Sequence, residues 1–261
     1  MPIAYGRPRE YDGQWTVDAW LADSPYPSTA HRGAPNGTTR AEFSWDAYDY
    51  AWAKGFRSLE LSAHRTSDGV WVLSHDATTG AQYTTDLTIA TSTWATLQTL
   101  TRKYGVTTEP MRRLDETLAR YPNAIFFIEN KTYGNYTTFH AILTAIPNFA
   151  NRIVHKNSGD ANPSFALAIA AGFKYTWAYY FGTAGAALLP TEWDPNMKWV
   201  GLSSGPTNNA TDQVWFDWCK NHNPPLPIKG HIVRGSPDWA SMKAQGAVMG
   251  MINDASQFPL S

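Results

Sequence analysis

Residues 56–76, FRSLELSAHRTSDGVWVLSHD, decide the fold. The stretch holds two apolar runs, residues 56–64 and 70–75, with Asp68-Gly69 between them. An Asp-Gly pair between two such runs indicates a β-hairpin, because the tight turn needs residues that tolerate positive φ. The stretch therefore predicts a strand that is followed at once by a short antiparallel partner.

Outside the hairpin, short apolar runs alternate with longer amphipathic stretches. The other predicted strands are residues 28–31, 124–129, 152–154, 173–180, 198–203, 228–233 and 247–252. The predicted helices are residues 40–54, 92–100, 114–121, 137–146, 163–171, 184–189, 211–221 and 237–245. Such alternation is typical of βα units that build a parallel sheet. We therefore predict an α/β fold, a single-domain (β/α)8 TIM barrel to which the hairpin adds one extra strand.

The chain length suits one barrel domain, since barrels of this kind reach such a size without splitting. The chain has 261 residues, of which 43% are hydrophobic. Residues 28–261 are assigned to the barrel. Residues 1–27 are rich in Pro, Gly, Asp and aromatic residues without periodicity, and they predict an N-terminal arm that packs on the barrel or contacts a neighbouring protein.

The charge balance excludes some classes of partner. With 21 basic and 22 acidic residues the formal net charge is -1, which disfavours nucleic acid as a partner. No stretch is apolar and long enough to insert in a membrane, and no export signal is recognisable, so we expect a cytoplasmic protein by default. The single cysteine, Cys219, is expected to be buried and inert.

Ionisable residues gather where the predicted strands end. His31, Glu60, His75 and Glu129 each follow or close an apolar run. The carboxyl ends of the strands of a barrel surround one cavity, where such enzymes place their active sites. Four polar strand ends together favour a functional site over four separate structural residues.

Alternation along the strands brings further groups to the same faces. Ser62 and His64 share a face with Glu60, and Lys131 shares a face with Glu129. Carboxylate oxygens suit a hard cation such as Mg²⁺ or Ca²⁺. Cationic side chains can hold a phosphate, and imidazoles can exchange protons with attacking and leaving oxygens. The set matches phosphodiester hydrolysis.

Several motifs of the chain resemble those of the glycerophosphodiester phosphodiesterase family. They are Ala30-His31-Arg32-Gly33-Ala34-Pro35, Glu60, Thr66-Ser67-Asp68-Gly69-Val70-Trp71-Val72-Leu73-Ser74-His75-Asp76, Leu114-Asp115-Glu116-Thr117-Leu118 and Phe127-Ile128-Glu129-Asn130-Lys131. The resemblance is specific through about half of the chain. Beyond Lys131 only the order of the elements is similar.

The resemblance implies a metal-dependent hydrolase of lipid metabolism that cleaves a glycerol-linked phosphodiester, either a small molecule or a polymer. On this basis His31 and His75 are the general acid and base. Arg32 and Lys131 would bind the phosphate of the substrate. The metal ligands would be Glu60, Glu129 and Ser62.

Two departures from the family pattern bear on the cation. Ser62 stands where the family usually has a metal-binding Asp. The loop Pro35-Asn36-Gly37-Thr38-Thr39 has no carboxylate, whereas the family usually carries Glu-Asn-Thr there. Because fewer anionic ligands hold a divalent cation less tightly, we expect a weakly bound Mg²⁺ or Ca²⁺.

Two alternatives remain beside an active phosphodiesterase. The barrel could have lost efficient catalysis and serve as a binding or structural component, for example in a phage particle, which would make the protein virion-associated. A glycoside hydrolase that uses Glu60 and Glu129 as acid and nucleophile would also fit a barrel, but it leaves His31 and His75 unexplained.

Overall fold

The computed structural model is a closed barrel of eight parallel strands with helices between them, as the sequence predicts. The structure describes residues 15–23, 27–35, 39–158, 165–180, 182–192, 194, 197–203 and 213–257. The strands are β1 (Ser28–Ala30), β2 (Ser58–Arg65), β3 (Trp71–Leu73), β4 (Ile125–Asn130), β5 (Ile153–Ser158), β6 (Tyr175–Tyr180), β7 (Trp199–Leu202), β8 (Ile228–Val233) and β9 (Ala247–Ile252).

The hairpin prediction is confirmed. The barrel order is β1-β9-β8-β7-β6-β5-β4-β2, closed by the pairing of β1 with β2, and β3 lies antiparallel on β2 outside the ring. In the turn, Gly69 has a φ of +89°, a conformation that glycine adopts without steric cost. The side chain of Thr66 donates to Asp68 Oδ1 at 2.6 Å and fixes the turn.

Helices cover the outside of the barrel. They are α1 (Val17–Asp23), α2 (Trp45–Ala53), α3 (Trp94–Leu97), α4 (Leu114–Arg120), α5 (Tyr136–Thr144), α6 (Phe149–Arg152), α7 (Phe165–Ala170), α8 (Gly182–Ala186), α9 (Leu189–Glu192), α10 (Gln213–Asn221) and α11 (Ser236–Ala244). Leu59 and Leu61 point outward into this layer, which leaves the intervening Glu60 inside the barrel. Among the described helices, none combines the length and apolarity that crossing a bilayer would require.

Three predicted helices differ in their limits by more than two residues. The helix expected from residue 40 begins at Trp45, because the hydroxyl of Ser44 caps it by accepting from the Ala47 N–H. The helix expected over residues 92–100 is the single turn α3. Residues 184–189 fall in two short helices, since Pro190 has no N–H to continue the first. The starts predicted at residues 163 and 211 lie outside the described residues.

The described part of the predicted arm fills the amino end of the barrel. Trp15, Val17 and Trp20 are buried in one apolar cluster with barrel residues that include Phe127. Asp18 forms an ion pair with Lys174, which immediately precedes β6. α1 therefore covers the amino end of the barrel, and the polar groups described below lie toward the opposite end, where the strands finish.

Candidate active site

Strand register brings the central residues of the site together. Ser62 lies opposite Glu129 in the pairing of β2 with β4, and Glu129 lies opposite Lys156 in the pairing of β4 with β5. Parallel neighbours in register project to the same side of a sheet, here into the barrel. Glu60, one pleat away from Ser62, reaches the same group through its contacts with Ser62 and Lys156.

Lys156 is the residue that the sequence interpretation missed. Its Nζ lies 2.5 Å from Glu60 Oε1 and 2.9 Å from Glu129 Oε2, and the side chain is 2% exposed. Burial opposes the charged form, but the two carboxylates outweigh it and raise the pKa of Lys156 above its usual value. The predicted strand ended at residue 154, although β5 continues to Ser158. The position of Lys156 just after the short apolar run at residues 153–154 is the sequence feature that could have indicated it as a site residue.

Glu60 is held by three donors. It accepts hydrogen bonds from Lys156, from the hydroxyl of Ser62 at 3.1 Å and from the backbone N–H of Arg32 at 2.8 Å. Burial alone would raise the pKa of Glu60, but the charge and the hydrogen bond of Lys156 lower it well below the ordinary value. Glu60 is therefore an ionised, fully paired carboxylate.

Glu129 forms ion pairs with two lysines, although its buried Oε2 has no hydrogen bond of good geometry. Its Oε1 lies 2.8 Å from Lys131 Nζ and accepts a long hydrogen bond of 3.4 Å from the Tyr179 hydroxyl. The two lysines, 131 and 156, outweigh the effect of burial and lower the pKa of Glu129. Neither Glu60 nor Glu129 is thus poised to donate a proton, which argues against the glycoside hydrolase alternative.

His31 is a buried imidazole with a defined tautomer. Its Nδ1–H donates to Asn253 Oδ1 at 2.8 Å, which leaves Nε2 as an acceptor. Burial lowers the pKa of His31 to about 3, although Glu60 partly opposes the shift. His31 is therefore neutral at physiological pH. Asn253 follows β9, a region in which the sequence resembles the family only in the order of its elements.

His75 lies at the more open side of the site. Its Nδ1–H donates to Asp76 Oδ1 at 2.7 Å, and its backbone carbonyl accepts from His64 Nε2 at 3.2 Å. Burial and the positive charges of Arg32 and Lys131 lower the pKa of His75, while Asp76 opposes them. The neighbouring Ser74 N–H donates to the Ser62 carbonyl at 3.0 Å, which places His75 beside the end of β2, and its catalytic role stays a prediction.

Arg32 is anchored by a carboxylate that the sequence interpretation did not assign. Its Nη1 donates to both oxygens of Glu42, at 2.9 and 3.1 Å. The backbone of Arg32 has a φ of +51°, which directs its N–H to Glu60. Glu42 is therefore the carboxylate that orients the Arg32 side chain.

The arrangement does not fit a divalent cation. A site for Mg²⁺ or Ca²⁺ offers several free oxygen ligands, most of them anionic. Here Lys156 and Lys131 occupy the carboxylate oxygens of Glu60 and Glu129, and the Ser62 hydroxyl is used as a donor. Among the described residues, no group of three or more His, Cys, Asp or Glu side chains could hold a metal ion. The ligand roles of Glu60, Glu129 and Ser62 stay predictions.

Comparisons with known proteins agree with the fold and the motifs. The model of the glycerophosphoryl diester phosphodiesterase family matches residues 31–175. A glycerophosphoryl diester phosphodiesterase from Parabacteroides distasonis has a TM-score of 0.70 at 14% identity, over 94% of this chain and 90% of that one. A phosphodiesterase from Oleispira antarctica, solved with sn-glycerol-3-phosphate, has a TM-score of 0.68 at 14% identity, over 90% and 95%. No curated protein matches the sequence. The resemblance drawn from the motifs is confirmed.

Proposed function

Because the chain belongs to the glycerophosphoryl diester phosphodiesterase family, we propose that it hydrolyses a glycerol-linked phosphodiester to an alcohol and glycerol phosphate. The main support for the proposal is that two histidines follow strands that both pair with β2. Beside His31, the Arg32 N–H donates to Glu60, and beside His75, the Ser74 N–H donates to the Ser62 carbonyl at 3.0 Å. The charges of Arg32 and Glu60 act on the pKa of both imidazoles. Two imidazoles near one phosphate can serve the attacking and the leaving oxygen.

We assign the general base to His31. It is unprotonated at physiological pH, and the hydrogen bond from Nδ1–H to Asn253 leaves the Nε2 lone pair for an incoming proton. The nearby carboxylate of Glu60 stabilises the imidazolium that forms. A water oxygen attacks phosphorus and its proton passes to Nε2. The same role would apply if a neighbouring glycerol hydroxyl attacked first and formed a cyclic phosphate.

His75 is the better general acid. The carboxylate of Asp76 on its Nδ1–H stabilises the protonated form, whereas Arg32 and Lys131 destabilise it. A bound phosphodiester anion would offset those two cations and so raise the pKa of His75. The protonated imidazole then gives its proton to the leaving alkoxide as the P–O bond breaks. The net change is addition of water across that bond.

Arg32 and Lys131 are proposed to bind the phosphoryl oxygens. The guanidinium of Arg32 keeps N–H donors beyond the Nη1 that bonds Glu42. Lys131 directly follows β4, and its side chain is 9% exposed. Its Nζ contacts Glu129 and the hydroxyl of Tyr179. Family members generally use a divalent cation, but Glu60 and Glu129 here bind lysine ammonium groups, so no step is assigned to a metal.

The alternative is a barrel that binds a phosphodiester without turning it over efficiently. One observation favours it, since Lys131 and Lys156 neutralise the two carboxylates on which a metal would depend. Such a protein could serve as a recognition or structural component. Retention of both His31 and His75 favours the enzyme.

A hydrolysis assay distinguishes the two. Glycerophosphocholine and a glycerol-phosphate polymer are incubated with the protein, with Mg²⁺, Ca²⁺ or chelator, and released glycerol phosphate is measured. His31→Ala and His75→Ala test the site, and His140→Ala, a buried histidine in the helix layer, is the matched control. Turnover lost in the first two variants and kept in the third supports the proposal. Substrate binding without turnover in any condition would support the binding role instead.

A further inference from the structure

We propose that the Lys156 ammonium takes the place of the family's divalent cation, so that this site works with a built-in positive charge and needs no metal ion. The inference rests on the proposed function for its role in catalysis. Its structural basis is the position of Nζ between Glu60 and Glu129, the two carboxylates for which a metal is predicted.

Hydrogen bonds and ion pairs together engage all four oxygens of the two carboxylates, although Glu129 Oε2 has an ion-pair contact only. Glu60 Oε1 accepts from Lys156 and Ser62, and its Oε2 accepts from the backbone N–H of Arg32. Glu129 Oε2 faces Lys156, and its Oε1 faces Lys131. A cation would have to displace ammonium groups from the very oxygens that it needs.

Charge balance points the same way. The two carboxylates of Glu60 and Glu129 are matched by the two ammonium groups of Lys131 and Lys156, so the buried cluster is neutral before substrate arrives. Adding a divalent ion would leave two uncompensated positive charges in a region of low dielectric, which is unfavourable.

Lys156 is also fixed in place. The side chain is almost fully buried, and its Nζ lies 5.0 Å from the ring centroid of Tyr179 and 5.7 Å from that of Trp177. Pairing of β5 with both neighbouring strands sets its backbone. The ammonium therefore cannot leave the site as an exchangeable ion does. Unlike a metal, an ammonium group cannot coordinate a water oxygen, so removal of the proton from the nucleophile falls to His31.

Cation binding and hydrolysis are measured separately to test the inference. Binding of Mn²⁺ to the unaltered protein is followed by the electron paramagnetic resonance of free Mn²⁺, and hydrolysis is followed with chelator and with added Mg²⁺. The double variant K156A/S62D restores a third carboxylate and removes the ammonium. Lys229→Met is the matched control, because Lys229 is a fully buried barrel lysine whose Nζ bonds the hydroxyl of Thr29.

We expect no Mn²⁺ site in the unaltered protein and equal hydrolysis with chelator and Mg²⁺. The double variant should gain a Mn²⁺ site and lose about 10²-fold or more of its activity in chelator, whereas Lys229→Met should gain no site. A Mn²⁺ site in the unaltered protein that Glu129→Gln removes, or hydrolysis only with metal, overturns the inference. A folded double variant without a Mn²⁺ site also overturns it.

The two proposals fail separately. If no phosphodiester is hydrolysed in any condition, the proposed function is wrong. The absence of a Mn²⁺ site in the same protein would still support Lys156 as the cation between Glu60 and Glu129. Should the double variant fail to fold, the measurements on the unaltered protein decide the matter.

Discussion

His155 should contribute to the acid sensitivity of the fold, and replacing it with phenylalanine should remove that contribution. The residue precedes Lys156 on β5 and points the opposite way, into the helix layer. Its ring lies 5.2 Å from that of His140 and 5.7 Å from that of Phe173, between centroids. Neither ring nitrogen has a hydrogen-bond partner among the described residues.

The size of the effect follows from proton linkage. Burial lowers the pKa of His155 from 6.5 to about 3 in the folded protein. The unfolded chain therefore binds one more proton between these values, and stability is lost as the pH falls below 6.5. At about 1.36 kcal/mol per pH unit, the loss amounts to about 2 kcal/mol at pH 5.

Urea unfolding of the unaltered protein and of His155→Phe, at about pH 8 and pH 5, measures this term. The variant should lose about 2 kcal/mol less stability between the two pH values, whatever its packing change, because packing contributes equally at both. Phe173→Leu, which alters the same cluster without a titrating group, should keep the full loss. An equal loss in His155→Phe and the unaltered protein would show that the imidazole is protonated when folded.

Three further outcomes are expected. His31→Ala or His75→Ala should lower kcat about 10²-fold or more with an unchanged circular dichroism spectrum, and normal turnover in both would remove their acid–base roles. If His75 is the acid, kcat/KM should fall as the pH rises through its lowered pKa, below the ordinary 6.5, and a profile without a falling limb on the acid side of neutrality contradicts this. Trp20→Ala should lower the free energy of unfolding, measured in urea, by about 3–5 kcal/mol, since Trp20 is 3% exposed at the amino end of the barrel. A loss well below about 1 kcal/mol would mean that α1 does not pack tightly against that end.

The barrel could be predicted because its signals are local. The alternation of Glu60 and Ser62 with Leu59 and Leu61 sets both faces of β2, and the Asp68-Gly69 pair sets the hairpin. These features depend on neighbours in the chain. They can be recognised without knowledge of any tertiary contact. Because the active site of such a barrel lies where its strands end, the same strand assignment predicts that the ionisable groups lie together at the carboxyl end of the barrel.

The partners of those groups could not be predicted in the same way. Glu42 pairs with Arg32 across ten positions, and Asn253 reaches His31 across 222. Glu42 lies outside the loop in which the family motif places its acid. Asn253 lies in a region without a recognisable motif. Long-range pairing is decided by how the barrel closes, which no local pattern encodes.

Two buried lysines show that the residue type alone does not determine whether a side chain is charged. Register places Lys156 opposite Glu129, and the carboxylates raise its pKa. It places Lys229 opposite Gly201 and Met249, where burial and then the charge of Lys156 lower the pKa of Lys229 well below its usual value. Lys156 on β5 is thus a fixed cation, whereas the environment of Lys229 on β8 favours the neutral amine. The positive charge of the site is therefore a property of the β4–β5 pairing. A one-residue slip of that pairing would turn Lys156 away from Glu129 and leave two buried carboxylates in need of another cation.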